Sequence, residues 1–255
     1  MKSLMHPETS ITTRPESTYK SGKVVQTSGA TSLCLPAGLS TEEMKSFDKM
    51  IDRRRSLKRG DFLYRTGAAL HVLYAIRSGF MKSCVLHEDG REQVAGFHMM
   101  GDLMGMDAIG GSVHLCNAVA LEDSEVCEIP LCNLESLSRE IPSLQQHFHR
   151  IMSREIARDY GVMLLLGSMR AEERLAVFLL NLSQRFASRG YSSTEFHLRM
   201  TREEIGSYLG LKLETVSRTL SQLQSLGLIA VQSKHLRILK INSLRELIGQ
   251  QACGN

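Results

Sequence analysis

Glu214, Ser217 and Arg218 stand at i, i+3 and i+4 in the run Glu214-Thr-Val-Ser-Arg218, a spacing that puts all three on one face of a helix. Each can hydrogen-bond the edge of a base pair. A carboxylate accepts from the amino group of cytosine, a guanidinium donates twice to guanine, and a hydroxyl serves either base type or meets a thymine methyl. Val216, Leu220 and Leu223 recur at i, i+4 and i+7 on the opposite side. The helix therefore has an apolar face to bury and a polar face, extended by Ser221 and Gln222, to expose.

Such a face reads DNA only if other elements hold it out. Thr201 followed three residues later by Glu204 is a capping box, which starts a short helix with Ile205 and Leu209 on its apolar side. Gly206 permits close approach and Gly210 a sharp turn into the next helix. Gly227 closes that helix, and Leu228-Ile229-Ala230-Val231 with Leu236-Arg237-Ile238-Leu239 read as the two strands of a wing, with Lys234 and His235 at its tip near phosphate. Thr201, Glu214, Ser217, Arg218 and Ser221 are the candidate contacts to double-stranded DNA. A helix pair packed inside a bundle would have no use for a box, two glycines and a wing together.

The rest of the chain divides by composition and period. Residues 1–30, rich in Ser, Thr, Lys and Gly, bury too little to offset ordering and read as a flexible arm. From about Phe62 to Leu131, short apolar segments alternate with Gly and Asp-Gly turns, which predicts an antiparallel β-roll or jelly roll within residues 31–140. After Ile141-Pro142 the period lengthens to that of one long helix, 141–168, with Met152, Ile156, Met163 and Leu166 on a seam. Asp159 interrupts that seam. If two such helices pair, two carboxylates meet, and Ile156 with Asp159 would set a deliberately marginal dimer; otherwise the helix packs on its own domain with Asp159 solvated or paired with an arginine. A second helix, Ala171 to Ala187, opens a winged helix-turn-helix domain spanning 169–255. The fold class is α+β.

The chain has 255 residues, 42% hydrophobic, with 31 basic against 27 acidic side chains, enough apolar content for two domains and a mild charge excess compatible with a polyanion. No apolar run approaches the roughly 20 residues of a membrane span, and no secretion signal is visible, which points to the cytoplasm and no membrane partner. Without a G-x-S-x-G, P-loop or H-E-x-x-H motif, an enzyme is not indicated. Cysteines 34, 84, 116, 127, 132 and 253 include no C-x-x-C pair.

The chain resembles the FNR branch of the CRP/FNR family of bacterial transcription regulators over roughly Ser32 to Ile241. The likeness rests on Leu73-Tyr-Ala-Ile-Arg-Ser-Gly79, Gly96-Phe-His-Met-Met-Gly-Asp-Leu-Met-Gly105, Asp107-Ala-Ile-Gly110, Val126-Cys-Glu-Ile-Pro130, Glu172-Glu-Arg-Leu175 and Glu214-Thr-Val-Ser-Arg218. The resemblance implies a sensory β-roll, a homodimer formed through the long helix, and Glu214, Ser217 and Arg218 as readers of a TTGAT-N4-ATCAA-like palindrome. It implies charge repulsion at Asp159, and contact with RNA polymerase through the loop Gly90-Arg91-Glu92-Gln93. Relatives that bind cyclic AMP carry an arginine where this chain has Leu115-Cys-Asn-Ala118, so no cyclic nucleotide is expected. FNR proteins hold an oxygen-sensing 4Fe-4S cluster with a C-x2-C-x5-C run and one later cysteine. Cys34 and Cys127 match two of these ligands, whereas Val25 and Ser28 occupy the other two positions, so a standard cluster is not assembled. A response to oxygen or redox state then has three routes: a cluster with substitute ligands, thiol chemistry at Cys34 and Cys127, or control by the amount of protein.

Overall fold

The computed structural model describes residues 53–87 and 89–249, with positions 42, 43, 46, 49 and 51 ahead of them. The arm, Val25, Ser28 and Cys34 lie outside the described residues.

Two four-stranded antiparallel sheets form the β-roll. One has the order β1-β8-β3-β6 and the other β2-β7-β4-β5. The strands are β1 (Arg53–Leu57), β2 (Phe62–Tyr64), β3 (Val72–Ser78), β4 (Phe80–Leu86), β5 (Glu92–Met99), β6 (Leu103–Met104), β7 (Asn117–Ala120) and β8 (Ser124–Pro130). Alternation along β3 and β8 builds two cores. Tyr74, Ile76 and Val126 face the other sheet and meet Met81, Met104 and Ala118. Leu73, Ala75, Cys127 and Ile129 face outward onto the helices, against Leu134, Ile141 and Leu144. Gly79 turns β3 into β4 at φ 95°, where a Cβ would stand 2.1 Å from Ser124 Oγ, so no other residue fits without moving the sheet.

Helix α1 (Leu131–Glu140) is followed by the 27-residue α2 (Pro142–Ser168). Ile141, extended because proline follows it, ends the first helix, and Pro142 opens the second where its missing N–H is no loss. Beyond α3 (Ala171–Ala187) come β9 (Glu195–His197), α4 (Arg202–Leu209), α5 (Leu213–Ser225), β10 (Ile229–Gln232), β11 (His235–Ile238) and α6 (Ile241–Gly249). The small sheet has the order β10-β11-β9. None of the described helices is long and apolar enough to cross a membrane.

The structure extends the reading in three places. A strand at Arg53–Leu57 precedes the first strand expected at Phe62, helix α1 closes the stretch assigned to the β-roll up to residue 140, and the wing carries a third strand, β9. The wing turn falls on Ser233 and Lys234, and His235 already belongs to β11.

In α4 the capping box is formed. Thr201 Oγ1 accepts from the Glu204 amide at 3.1 Å, and Glu204 Oε2 accepts from the Thr201 amide at 2.7 Å. Gly210 ends α4 in the left-handed region, φ 62°. A Cβ on Gly206 would lie 2.5 Å from the Leu211 carbonyl oxygen, so what crowds this glycine is the backbone of its own turn. Gly206→Ala is therefore expected to open the α4–α5 turn and destabilise the C-terminal domain by about 1–3 kcal/mol. Urea unfolding checks this; an unchanged midpoint would mean that the turn tolerates the methyl.

Candidate nucleic-acid interface

Val216, Leu220 and Leu223 of α5 are buried against the domain, and Glu214, Arg218, Ser221 and Gln222 are exposed. Ser217 is half-buried because Arg202, the first residue of α4, donates from Nη1 to its Oγ at 3.3 Å. Ser221 donates its hydroxyl to the Ser217 carbonyl at 3.1 Å, so only its oxygen lone pairs remain for a base or phosphate. Thr201 is exposed at the start of α4, its hydroxyl oxygen engaged as the cap. The structure thus brings the five sequence candidates to one end of the C-terminal domain and adds Arg202. Only a contact between helices, which spacing within one helix does not reveal, could have shown Arg202.

The helix-turn-helix is docked on the β-roll. β5 is an edge strand, and its free backbone groups find α4: the Val94 amide donates to Ser207 Oγ at 2.8 Å, Ser207 Oγ donates to the Glu92 carbonyl at 3.3 Å, and Gln93 Nε2 donates to the Ser207 carbonyl. Lys82 Nζ lies 3.0 Å from Glu204 Oε1. Burial works to raise the Glu204 carboxyl, but the Thr201 amide and Lys82 outweigh it and hold it below its ordinary range. Phe97 of β5 meets Phe178 and Tyr208 with centroids 6.0 and 5.2 Å away. At the far end, Asp102 accepts from Arg185 at 2.5 Å and from Arg189 at 2.6 Å. Of the loop Gly90-Arg91-Glu92-Gln93, then, Glu92 and Gln93 belong to β5 and are committed to this contact, whereas Arg91 stays in the turn paired with Asp89.

Along α2 only Leu144 and Leu165 are buried. Ile156 (50% exposed), Tyr160 (66%) and Met163 (67%) form an uncovered apolar stripe, with Asp159 exposed among them. Between α2 and the β-roll lies a cavity of about 360 Å³. Asp107, Glu155 and Asp159 line it against a single guanidinium, Arg158. Asp107 Oδ2 accepts from the amides of Leu115 and Cys116 at 2.8 and 3.3 Å.

Together these features define a transcription regulator that carries a β-roll and a DNA-binding helix-turn-helix, and comparison with known proteins agrees. A model of the Crp-like helix-turn-helix domain matches residues 173–247, and one of the cyclic nucleotide-binding domain matches 54–140. The chain is 47% identical over 221 residues to the transcriptional regulatory protein btr of Bordetella pertussis, covering 87% of this chain and 91% of that one. It is 48% identical over 217 residues to the fumarate and nitrate reduction regulatory protein of Escherichia coli K12, covering 85% and 87%. Among solved structures, FixK2 from Bradyrhizobium japonicum aligns with a TM-score of 0.71 at 30% identity, covering 76% of this chain and 96% of that one. The chain belongs to the CRP/FNR family, in its FNR branch.

Neither group that the family implies fits these residues. A cyclic phosphate in the cavity beside α2 would meet three carboxylates and loop amides already taken by Asp107. For a cluster, Cys127 is 3% exposed and packed among Leu73, Ala75 and Ile129 in the apolar layer under the helices. Val25 and Ser28 lack a thiolate to offer. Among the described residues, no group of three or more His, Cys, Asp or Glu side chains is arranged to hold a metal ion.

His98 lines the same cavity, with Nε2 3.0 Å from Ser83 Oγ and no partner for Nδ1. Burial, reinforced by Arg158, pushes its pKa down to about 3. The folded state keeps it neutral while the unfolded chain protonates it below about 6.5, so stability is lost as pH falls from there toward 3. His98→Gln is expected to flatten the pH dependence of unfolding between about pH 6 and 4 by up to about 1.4 kcal/mol per pH unit. Urea midpoints across that range measure it, and an unaltered slope would show that His98 does not carry the effect.

Proposed function

We propose that this regulator binds a TTGAT-N4-ATCAA-like palindrome as a homodimer, with Glu214, Ser217 and Arg218 reading bases and Thr201 and Ser221 meeting the backbone. The observation that carries this reading is the polar edge of α5. Glu214 and Arg218 stand in solvent although every apolar side chain on the helix's inner face is buried and α4 is held on both sides. The dimer is supported by the apolar stripe through Ile156, Tyr160 and Met163, a face exposed among the described residues. Within that stripe Asp159 keeps association weak, because pairing would withdraw two like charges from water. Burial of Cys127 and the identity of Val25 and Ser28 favour control through the amount and oligomeric state of the protein over cluster or thiol chemistry. The exposed turn at Arg91 is the part of the β4–β5 hairpin left to touch RNA polymerase. We place this activity in the cytoplasm.

Arg218→Ala is expected to weaken binding to the palindrome by about 1–3 kcal/mol and to relax preference at the guanine, while affinity for unrelated duplex changes little. Fluorescence anisotropy over a salt series checks both points, since a reader that neutralises several phosphates loses affinity steeply with salt. Equal loss on every sequence would remove Arg218 as a base reader, and affinity indifferent to salt would favour a β-roll module that does not read DNA. Asp159→Ala is expected to shift sedimentation toward dimer at a concentration where the parent chain is mostly monomeric; an unchanged balance would take Asp159 out of the interface.

A further inference from the structure

On another side of α2 lies a cleft of about 610 Å³ whose charge is opposite to that of the cavity beside His98. It is bounded by the β-roll turn at Asp102, by α2 and by α3. Four guanidinium groups, Arg154, Arg158, Arg185 and Arg189, face two carboxylates, Asp102 and Glu155. The carboxylates are already spent. Asp102 is shared between Arg185 and Arg189 and also accepts from the Met99 amide at 2.8 Å, and Glu155 pairs with Arg158. Arg154 donates from Nε to the Arg150 carbonyl at 3.4 Å and pairs with no carboxylate among the described residues. The side chains of Arg158, Arg185 and Arg189 are only 19%, 15% and 17% exposed, so the surplus charge is not simply dissolved in solvent. Its crowding is visible at Arg158, where burial and then Arg185 pull the guanidinium below its ordinary value.

We propose that this cleft binds a small phosphorylated anion, with Arg154 and Arg158 of α2, Arg185 of α3 and Arg189 of the turn after it as donors. Guanidinium forks match phosphoryl oxygens two at a time, and the volume lies within the roughly 300–1,000 Å³ of small-molecule sites. The anion supplies the negative charge that Asp102 and Glu155 leave short. It also spans the long helix and the first helix of the DNA-binding domain, so its binding stabilises the docked arrangement. The proposal does not depend on which bases α5 reads.

The test is calorimetric titration of the full chain with inorganic pyrophosphate at fixed ionic strength, with sodium chloride as the control. One saturable site per chain and a raised thermal midpoint are expected. Arg154→Glu, which touches none of the ion pairs joining the domains, is expected to weaken pyrophosphate binding at least tenfold, on the scale of losing a charge-assisted contact, while palindrome binding and the midpoint of the unliganded chain stay unchanged. Absence of saturable binding, or equal affinity in Arg154→Glu, overturns the site. If pyrophosphate does not bind and Arg154→Glu lowers affinity for all duplexes alike, the cleft holds the DNA backbone and the small-anion reading fails.

Discussion

Asp102 is the carboxylate on which the two halves of the molecule meet. It lies at the end of the β-roll turn, 17% exposed, and takes one guanidinium on each oxygen, Arg185 from the last turn of α3 and Arg189 from the turn after it. Burial alone would push its pKa up, but Arg185 and Arg189 outweigh that and hold it below the usual carboxylate range. A charge this far from water is tolerated only with its partners in place, so the position of α3 is set by where the Asp102 oxygens point. The aromatic trio of Phe97, Phe178 and Tyr208 lies at the same junction and lowers the local dielectric, which strengthens every ion pair there. Lys82 with Glu204 and Ser207 on the β5 edge then fix the rotation of the helix-turn-helix.

The helix-turn-helix was legible because its signals are local. The Thr201–Glu204 box, Gly210 and the period of Val216, Leu220 and Leu223 each act within one turn of helix, and the structure places them as spacing predicts. The long helix was legible for the same reason, with Pro142 marking its start. Helix α1 was not, since only Leu131, Leu134 and Leu137 mark it within ten residues, too short an apolar stretch to separate from the β-roll before it. β9 has a single buried side chain, Phe196, to announce it. The docking of the domains was beyond reach for a different reason. Lys82 and Glu204, or Asp102 and Arg189, are remote in sequence, and each taken alone reads as a solvated charge. Arg202 escaped notice likewise, its partner Ser217 lying on another helix.

Cysteine chemistry shows where pattern and environment part. Position-matching puts Cys127 among cluster ligands, but the alternation of β8 turns its side chain away from the space between the sheets and into the apolar layer under α1 and α2. A thiol there behaves as a small hydrophobe. Asp107 gives the parallel case for the cavity: by capping the amides of Leu115 and Cys116 it supplies internally the negative charge that an anionic effector would bring.

Helix α2 borders both the cavity and the cleft. Its burial is concentrated at Leu144 and Leu165, near its two ends, so the intervening turns are positioned by charge and by whatever covers the stripe at Ile156 and Met163. One turn of this helix, Glu155 to Arg158, separates an acidic cavity from a basic cleft, and Asp159 stands beside it on the uncovered face. A segment positioned mainly by ion pairs, with its apolar stripe exposed, buries less than the sheets around it and has lower local stability. Arg158 lines both spaces, and Asp102 in the basic cleft carries the contact on to Arg185 of α3.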